Sequence, residues 1–352
     1  MDIVSAILII IGLILFETVS SIDNAVINAQ VLATMSDKAK RWFLTWGLFI
    51  AVFAMRGLLP FAIIWAVNPG LGPIGAVTAA FSADPAVQDS VERSAPVLLA
   101  GGGTFLLFLF FHWLFLEPKH YGLRGEKRIE KYGVWFYAVV SILLAAITWF
   151  ALKIDPMMAF SAVMGSTAFF ITHGFKENAE KAEAELLHDT GRSDMSKILY
   201  LEAIDATFSI DGVLGAFAFT LSVPLILIGN GVGAYVVREA TIRGINTIKK
   251  YMYLKNGAMY SVFFLGGIMV ADSFGLHIPH WFTPIITIVI IAYFFWKSKA
   301  AWDKDPEGVA KITGAIIDKP KTSKAVADAT PKAAVPAKKK SSRAKASGSK
   351  KK

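Results

Sequence analysis

The sequence predicts an all-α polytopic membrane protein: about nine transmembrane helices in residues 1–298, then a disordered basic tail over 299–352. Three observations carry this. Apolar residues make up 55% of the 352 and charged residues only 18%, against roughly 45–50% and about 25% in soluble domains. Apolar runs at 3–16, 43–67, 97–116 and 282–296 approach or exceed the roughly 18–20 residues that a bilayer crossing needs. Lys and Arg gather in alternate connections between such runs.

Span 1 is read over 3–34. The first charge is Asp2, with no basic stretch and no clean small-residue cleavage site after it, so the run is expected to be a span and not a signal peptide. Its length corresponds to roughly 48 Å of helix, more than the hydrocarbon core of about 30 Å. It must therefore break or tilt strongly. Spans 2 to 5 follow at about 43–67, 95–116, 133–152 and 157–175. Gly101, Gly102 and Gly103 open span 3; with no Lys-Ser/Thr behind them they are not a phosphate loop, and they are expected to let helices approach closely. Segment 176–198 alternates charge sign and is expected as a short cytoplasmic helix ending near residues 189–191. Spans 6 to 9 are read at about 198–221, 224–242, 256–273 and 281–297. Trp and Tyr near the span ends fit interfacial belts.

Connections 35–42, 117–132, 176–197 and 243–255 hold 16 Lys/Arg, whereas the intervening ones hold only Arg93 and Lys153. An odd number of spans satisfies this bias at every loop. The N-terminus is expected outside and the C-terminus in the cytoplasm, across the inner (plasma) membrane. The net charge of +9 resides in the tail: residues 299–352 hold 15 Lys/Arg and 5 Asp/Glu, while 1–298 carry a net of −1. After Trp302 the chain is rich in Lys, Ala, Pro and Ser. Such a stretch buries too little apolar area to offset ordering entropy. Its partners are expected to be anionic lipid headgroups or an unknown protein, and no oligomeric state is specified.

Cysteine is absent, which excludes disulfides, thiolate metal sites and thiol catalysis. No nucleophile–base set, metalloprotease motif or ATP-binding motif is present, so no enzyme is expected. Any pumping must draw on an ion gradient or another chain, and no tightly bound cofactor is expected.

Two intramembrane stretches resemble each other. The first runs from Glu17 through Ser21 and Ile22 to Asp23; the second runs from Asp205 through Ser209 and Ile210 to Asp211. Each places an acid six residues before the Asp, and in the following span a Gly precedes an Arg by nine positions: Gly47 and Arg56, then Gly229 and Arg238. The copies lie in spans 1 and 6, which cross in opposite directions. That predicts an inverted-topology repeat, with halves at about 3–116 and 198–297, the common build of secondary transporters with a site near the midplane.

The intramembrane acids are Glu17, Asp23, Glu202, Asp205 and Asp211. Each ionised acid costs about 2.5–3.5 kcal/mol at the bilayer centre, so a chain keeps them facing one another, a cation or a wet cavity. Glu17, Ser20, Ser21, Asn24 and Asn28 share one helical face, as do Glu202, Asp205, Ser209 and Gly212. Asp23 lies about 120° from Glu17, and Asp211 about 120° from Asp205, on straight helices. Either each Asp points to a different neighbour or the helices are irregular at Ser-Ile-Asp. Carboxylate, amide and hydroxyl oxygens suit hard divalent cations such as Mg, Ca or Mn. The bland competitor is interhelical pairing of the acids with Arg56 and Arg238, but two arginines cannot neutralise five acids.

At these residues the chain resembles the TerC family within the LysE-type transporter superfamily, in a branch catalogued as a domain of unknown function. The resemblance covers about residues 10–297 and rests on Glu17 to Asn24, Glu202 to Asp211, Asn230 with Arg238, and the stretch from Tyr253 to Gly257. It departs at Gly212, Val213 and Leu214, where the family usually reads Ser-Ile-Pro, and at Ile268, where a Lys is usual. The resemblance implies export of a divalent metal, chiefly manganese, with a link by name to tellurite resistance.

The metal ligands expected on these grounds are Glu17, Asp23, Asn24, Glu202, Asp205 and Asp211. Ser20, Ser21, Asn28, Arg56, Ser209, Asn230 and Arg238 are expected as supporting polar or charge partners, and His173 with Glu177 as a gate. His112 is expected as a core histidine. Asp272, His277 and His280 are an alternative outer vestibule. The function expected is a secondary transporter exporting a divalent cation, possible by proton antiport because crowded acids hold protons. The alternatives are a non-transporting membrane scaffold in metal or tellurite stress, and a basic amino-acid exporter.

Overall fold

The helix boundaries of the computed structural model follow from local sequence. Residues 2–50, 56–67, 69–82, 85–119, 122–188, 193–243 and 245–315 are described; they belong to one compact unit, Met1–Ile316. Helix α1 (Ile3–Ser20) starts at Asp2, whose side chain accepts from the Ser5 N–H, a capping interaction that satisfies one of the orphan donors of a helix start. It stops at Ser21, which leaves helical geometry (φ −89°, ψ 4°), and α2 (Ile22–Ala33) resumes at once. Ser36 caps α3 (Asp37–Trp42), which runs through a π-helical turn, Phe43–Gly47, into α4 (Leu48–Ile50). Helix α5 (Arg56–Val67) is followed by the short turn Pro69–Leu71 and α6 (Gly72–Phe81), folded back at 107°.

The remaining helices are α7 (Pro85–Leu116), α8 (Arg124–Glu130), α9 (Trp135–Ala151), α10 (Pro156–His188), α11 (Asp194–Phe217), α12 (Val223–Arg243), α13 (Ile245–Lys249), α14 (Leu254–Ser273), α15 (Phe282–Lys304) and α16 (Pro306–Thr313). Ser193 caps α11 and Asp305 caps α16. At the end of α7 the Lys119 ammonium lies 4.2 Å from the Trp113 ring centre and donates to the Trp113 carbonyl, a basic side chain satisfying last-turn acceptors.

Helix α7 is the axis of the core, packed between α10 and α14. Glycines set these approaches. A Cβ on Gly165 would run into the Gly101 carbonyl, and one on Gly266 would lie 3.1 Å from the Gly103 carbonyl. Phe105 and Phe108 pack edge-on against Phe169, and Phe110 lies 4.7 Å from Phe263. Helix α1 lies against α12 and α15. The outward faces stay apolar: Ile142, Trp149, Phe160 and Trp296 are 70%, 63%, 58% and 67% exposed. A soluble protein rarely carries so much contiguous apolar surface; a bilayer is the medium that suits it.

The described residues are helical, with no strand among them. Five of these helices are long and apolar enough to cross a membrane: Ile3–Ser20, Glu92–Leu116, Pro156–Asn178, Leu254–Ser273 and Phe282–Lys304. The bent pair of α5 and α6 makes up to six, and Trp135–Ala151 is apolar but shorter. Helices α11 and α12, expected as spans 6 and 7, are 24 and 21 residues long but carry the acids and basic residues that keep them out of that set.

Two expectations are corrected, and one connection proves helical. Segment 176–188 is not a separate helix; it continues span 5 as the single 33-residue α10, because nothing between Thr172 and His188 breaks a helix. The connection at 68–94 is largely helical, as α6 and the first turns of α7. The tail boundary at 299 also moves. Residues up to Lys304 extend α15, and α16 follows, with Val309 only 5% exposed and Gly314 (φ 67°) ending it. Asp305 followed by Pro306 supplies an N-cap and a first-turn proline, which favour a helix start. Residues 316–352 lie outside the described part.

Candidate functional site

Two cavities meet at the Ser21 interruption. The smaller, of about 60 Å³, is lined by Glu17, Ser21, Asn24, Asn28, Arg56, Glu202, Asp205, Arg238 and Thr241, together with apolar residues and Gly47. Glu17 is 1% exposed and Arg56 5%. The Glu17 Oε1 accepts from the Arg56 guanidinium at 2.7 Å and from the Ser21 hydroxyl at 2.7 Å. Glycines on two helices make room for this carboxylate. A Cβ on Gly212 of α11 would lie 2.9 Å from Glu17 Oε2, and one on Gly233 of α12 would lie 2.7 Å from Glu17 Cβ.

The acids of α11 are held differently. Asp205 Oδ1 accepts from the Asn24 amide at 2.5 Å, and the Asp205 carbonyl accepts from the Ser209 hydroxyl at 2.7 Å. The Glu202 carboxylate lies over Gly47 at the end of the π turn, where any Cβ would meet its Oε1. A π turn inside a helical run is frequent at functional sites; here it sets a Cβ-free residue under a carboxylate. Three buried acceptors lining this cavity find no donor among the described residues: Asn24 Oδ1, Asn28 Oδ1 and Glu202 Oε1. The Nε atoms of Arg56 and Arg238 are likewise without an acceptor among the described residues. The Arg238 guanidinium lies 6.0 Å from the Tyr235 ring centre.

The larger cavity, of about 690 Å³, is lined by Ser20, His112, His173, Lys176, Glu177 and Asp211 among others. Asp211 pairs with Lys176 at 3.3 Å. The rings of His112 and His173 are 3.9 Å apart, and His173 stacks on Phe169. The Ser20 hydroxyl donates to the Glu17 carbonyl at 3.3 Å. Glu17, Ser21 and Arg56 line both cavities.

The structure thus gathers Glu17, Ser21, Asn24, Asn28, Arg56, Glu202, Asp205 and Arg238. Asp211 does not line this small cavity; it lies in the larger one, whose walls also include Glu17, Ser21 and Arg56. Helix α11 is unbroken, so a residue six positions on from Asp205 points about 120° away and meets α10 instead. In span 1 the other alternative holds, an irregularity at Ser21. The Asp23 side chain lies outside the described residues. Asn230 is 1% exposed with neither side-chain atom partnered, and it is not among the residues lining either cavity. His112, expected as a lone core histidine, faces His173 across two helices. The exposed His277 contacts the Gly275 carbonyl at 2.9 Å. Among the described residues no group of three or more His, Asp or Glu side chains gathers to hold a metal ion by itself; the small cavity mixes carboxylates with amides. Sequence reasoning missed Lys176 as the partner of Asp211 and Gly47 as the floor under Glu202. The equal Gly-to-Arg spacing of nine was the signal for Gly47; nothing in the sequence singles out Lys176.

A family model described as a protein of unknown function (DUF475) matches residues 22–304. Over 97 residues the chain is 30% identical to the uncharacterized membrane protein YceF of Bacillus subtilis (strain 168), a stretch covering 28% of this chain and 37% of that relative. No solved structure matches.

Proposed function

The chain belongs to the DUF475 family, whose function is unknown, and we propose that it is a secondary transporter moving a cation across the membrane. In its specific form the proposal is export of a divalent metal, manganese first, in exchange for protons. It includes nine spans across the inner (plasma) membrane, an inverted repeat, an external N-terminus and the likeness to TerC proteins carried by the motif residues.

One observation carries it: three buried oxygens without donors, Asn24 Oδ1, Asn28 Oδ1 and Glu202 Oε1, line one small cavity beside Asp205. A buried acceptor without a donor costs about 1–3 kcal/mol, and three around one space suit a ligand that only accepts electron pairs. A hard divalent cation does so with oxygen ligands while keeping part of its water shell. The mixed carboxylate and amide set also suits a site that must release its cargo.

A scaffold reading draws on a different observation, the 33 residues of α10 that carry a charge-rich end beyond its apolar part. Accumulation of several metals, measured in cells with and without the protein and challenged one metal at a time, separates the two. Transport requires one metal to fall in the expressing cells and to return in Asp205→Asn. Equal accumulation for every metal, in cells where the protein is inserted, would leave the scaffold.

A further inference from the structure

Arg56 does more at this site than pair with Glu17. Its guanidinium is buried, meets Glu17 Oε1 at 2.7 Å, and lines the same cavity as Asp205 and Glu202. Its Nε has no acceptor among the described residues, and a terminal nitrogen makes the contact with Glu17. Arg56 also lines the larger cavity, which gives the side chain a second space to enter. Arg238, at the matching place in the second motif, forms no ion pair with Asp205 among the described residues.

With every group ionised, the small cavity carries three carboxylates, Glu17, Glu202 and Asp205, against two guanidinium groups, Arg56 and Arg238, a net of −1. With the Arg56 head in the larger cavity, the same walls carry −2. That equals the charge needed to neutralise one divalent cation.

Resting on the transport reading above, we infer that Arg56 is a tethered competitor of the cargo: a divalent cation entering the small cavity exchanges with the Arg56 guanidinium, which withdraws from Glu17 into the larger cavity. With Arg238 in place, the three carboxylates balance one divalent cation but not that ion and the Arg56 guanidinium together, so binding of one disfavours the other, and the coupling is reciprocal. Arg56 thereby sets the affinity and favours divalent over monovalent cargo, since only a doubly charged ion replaces it without leaving an acid uncompensated in a buried site. It is a positioning and specificity residue, not a ligand.

The test uses the full-length protein in lipid nanodiscs and Mn²⁺ as the probe, with binding followed by calorimetry. Asp205→Asn should abolish binding; if it binds Mn²⁺ as the parent does, the site reading itself fails. With that loss in hand, Arg56→Gln should bind the same number of ions about ten-fold more tightly, within the roughly 5- to 150-fold usual for coupled ligands. Arg56→Lys, which keeps the tethered charge, should stay near the parent affinity. Unchanged or weaker binding by Arg56→Gln overturns the exchange. A second measurement needs no variant. Mn²⁺ should raise the rate at which phenylglyoxal modifies Arg56, read by peptide mapping of the intact protein after quenching. Protection or an unchanged rate rejects the withdrawal of Arg56 even if its variants do not fold.

Discussion

The two motif acids Glu17 and Asp205 line one cavity near the same arginine, Arg56, and yet are held by different partners. Glu17 is closed off: an arginine, a serine and two glycines hold it at 1% exposure. Asp205 is half-buried and accepts from the neutral Asn24 amide, while Arg238 beside it makes no ion pair with it among the described residues. A buried charge with a matched counter-charge is costly to break by removing one partner. A carboxylate held by a neutral donor remains able to bind a cation. The difference teaches that similar motifs divide the labour: without cargo the first copy keeps its acid paired with a tethered cation, while the second holds its acid with a neutral donor.

The largest effect that would sharpen this contrast is on transport. Asp205→Asn keeps size and removes the charge that only a neutral amide holds by a hydrogen bond, so transport should fall to background while thermal unfolding in detergent stays near the parent. Glu17→Gln should do the reverse first. It strands Arg56, and the loss of one partner of a buried pair costs about 3–5 kcal/mol, seen as a large drop in melting temperature. Adding Arg56→Gln to it should recover most of that drop. Equal destabilisation by Asp205→Asn and Glu17→Gln would erase the distinction.

Glycines provide a finer probe of the same contrast. Gly233→Ala places a Cβ 2.7 Å from Glu17 Cβ and 3.2 Å from the Ile14 carbonyl, so α1 and α12 must part, at about 1–3 kcal/mol. Gly47→Ala meets the tip of the flexible Glu202 side chain and, at 2.9 Å, the Phe43 ring, but no backbone. It should lower melting less than Gly233→Ala does and weaken Mn²⁺ binding about ten-fold, equivalent to about 1.4 kcal/mol. If Gly47→Ala lowers melting as Gly233→Ala does, the π turn is structural. The smallest effect lies at the C-terminus. Ending the chain after Ala315 should change neither transport nor melting, whereas ending it after Trp302 removes α16 and the buried Val309. That should cost about 1.5–3 kcal/mol.

Much of this was legible in the sequence because charge in an apolar run is rare and helical spacing is regular. The acids, the shared face of Glu17, Ser21, Asn24 and Asn28, and an irregularity near Ser21 could all be read. What could not be read depends on helices meeting in space. The helical period says that Asp211 diverges from Asp205, but only the placement of α10 says that Lys176 receives it. The pairing of His112 with His173 has no spacing signature, since the residues sit on different helices. The helix α16 was there to be read in Asp305, Pro306 and Gly314, and the basic composition of the following residues masked it.

The interruption at Ser21 has a mechanical side. Helix α2 has 12 residues beyond it, a rod of about 18 Å at 1.5 Å per residue. A tilt of about 10° pivoting at Ser21 would carry Asn24, one turn away, by about 0.8 Å and the far end of α2 by about 3 Å. A sub-ångström adjustment of an amide around an ion would thus be geared up roughly four-fold at the connection into α3, as a lever whose fulcrum lies next to its load.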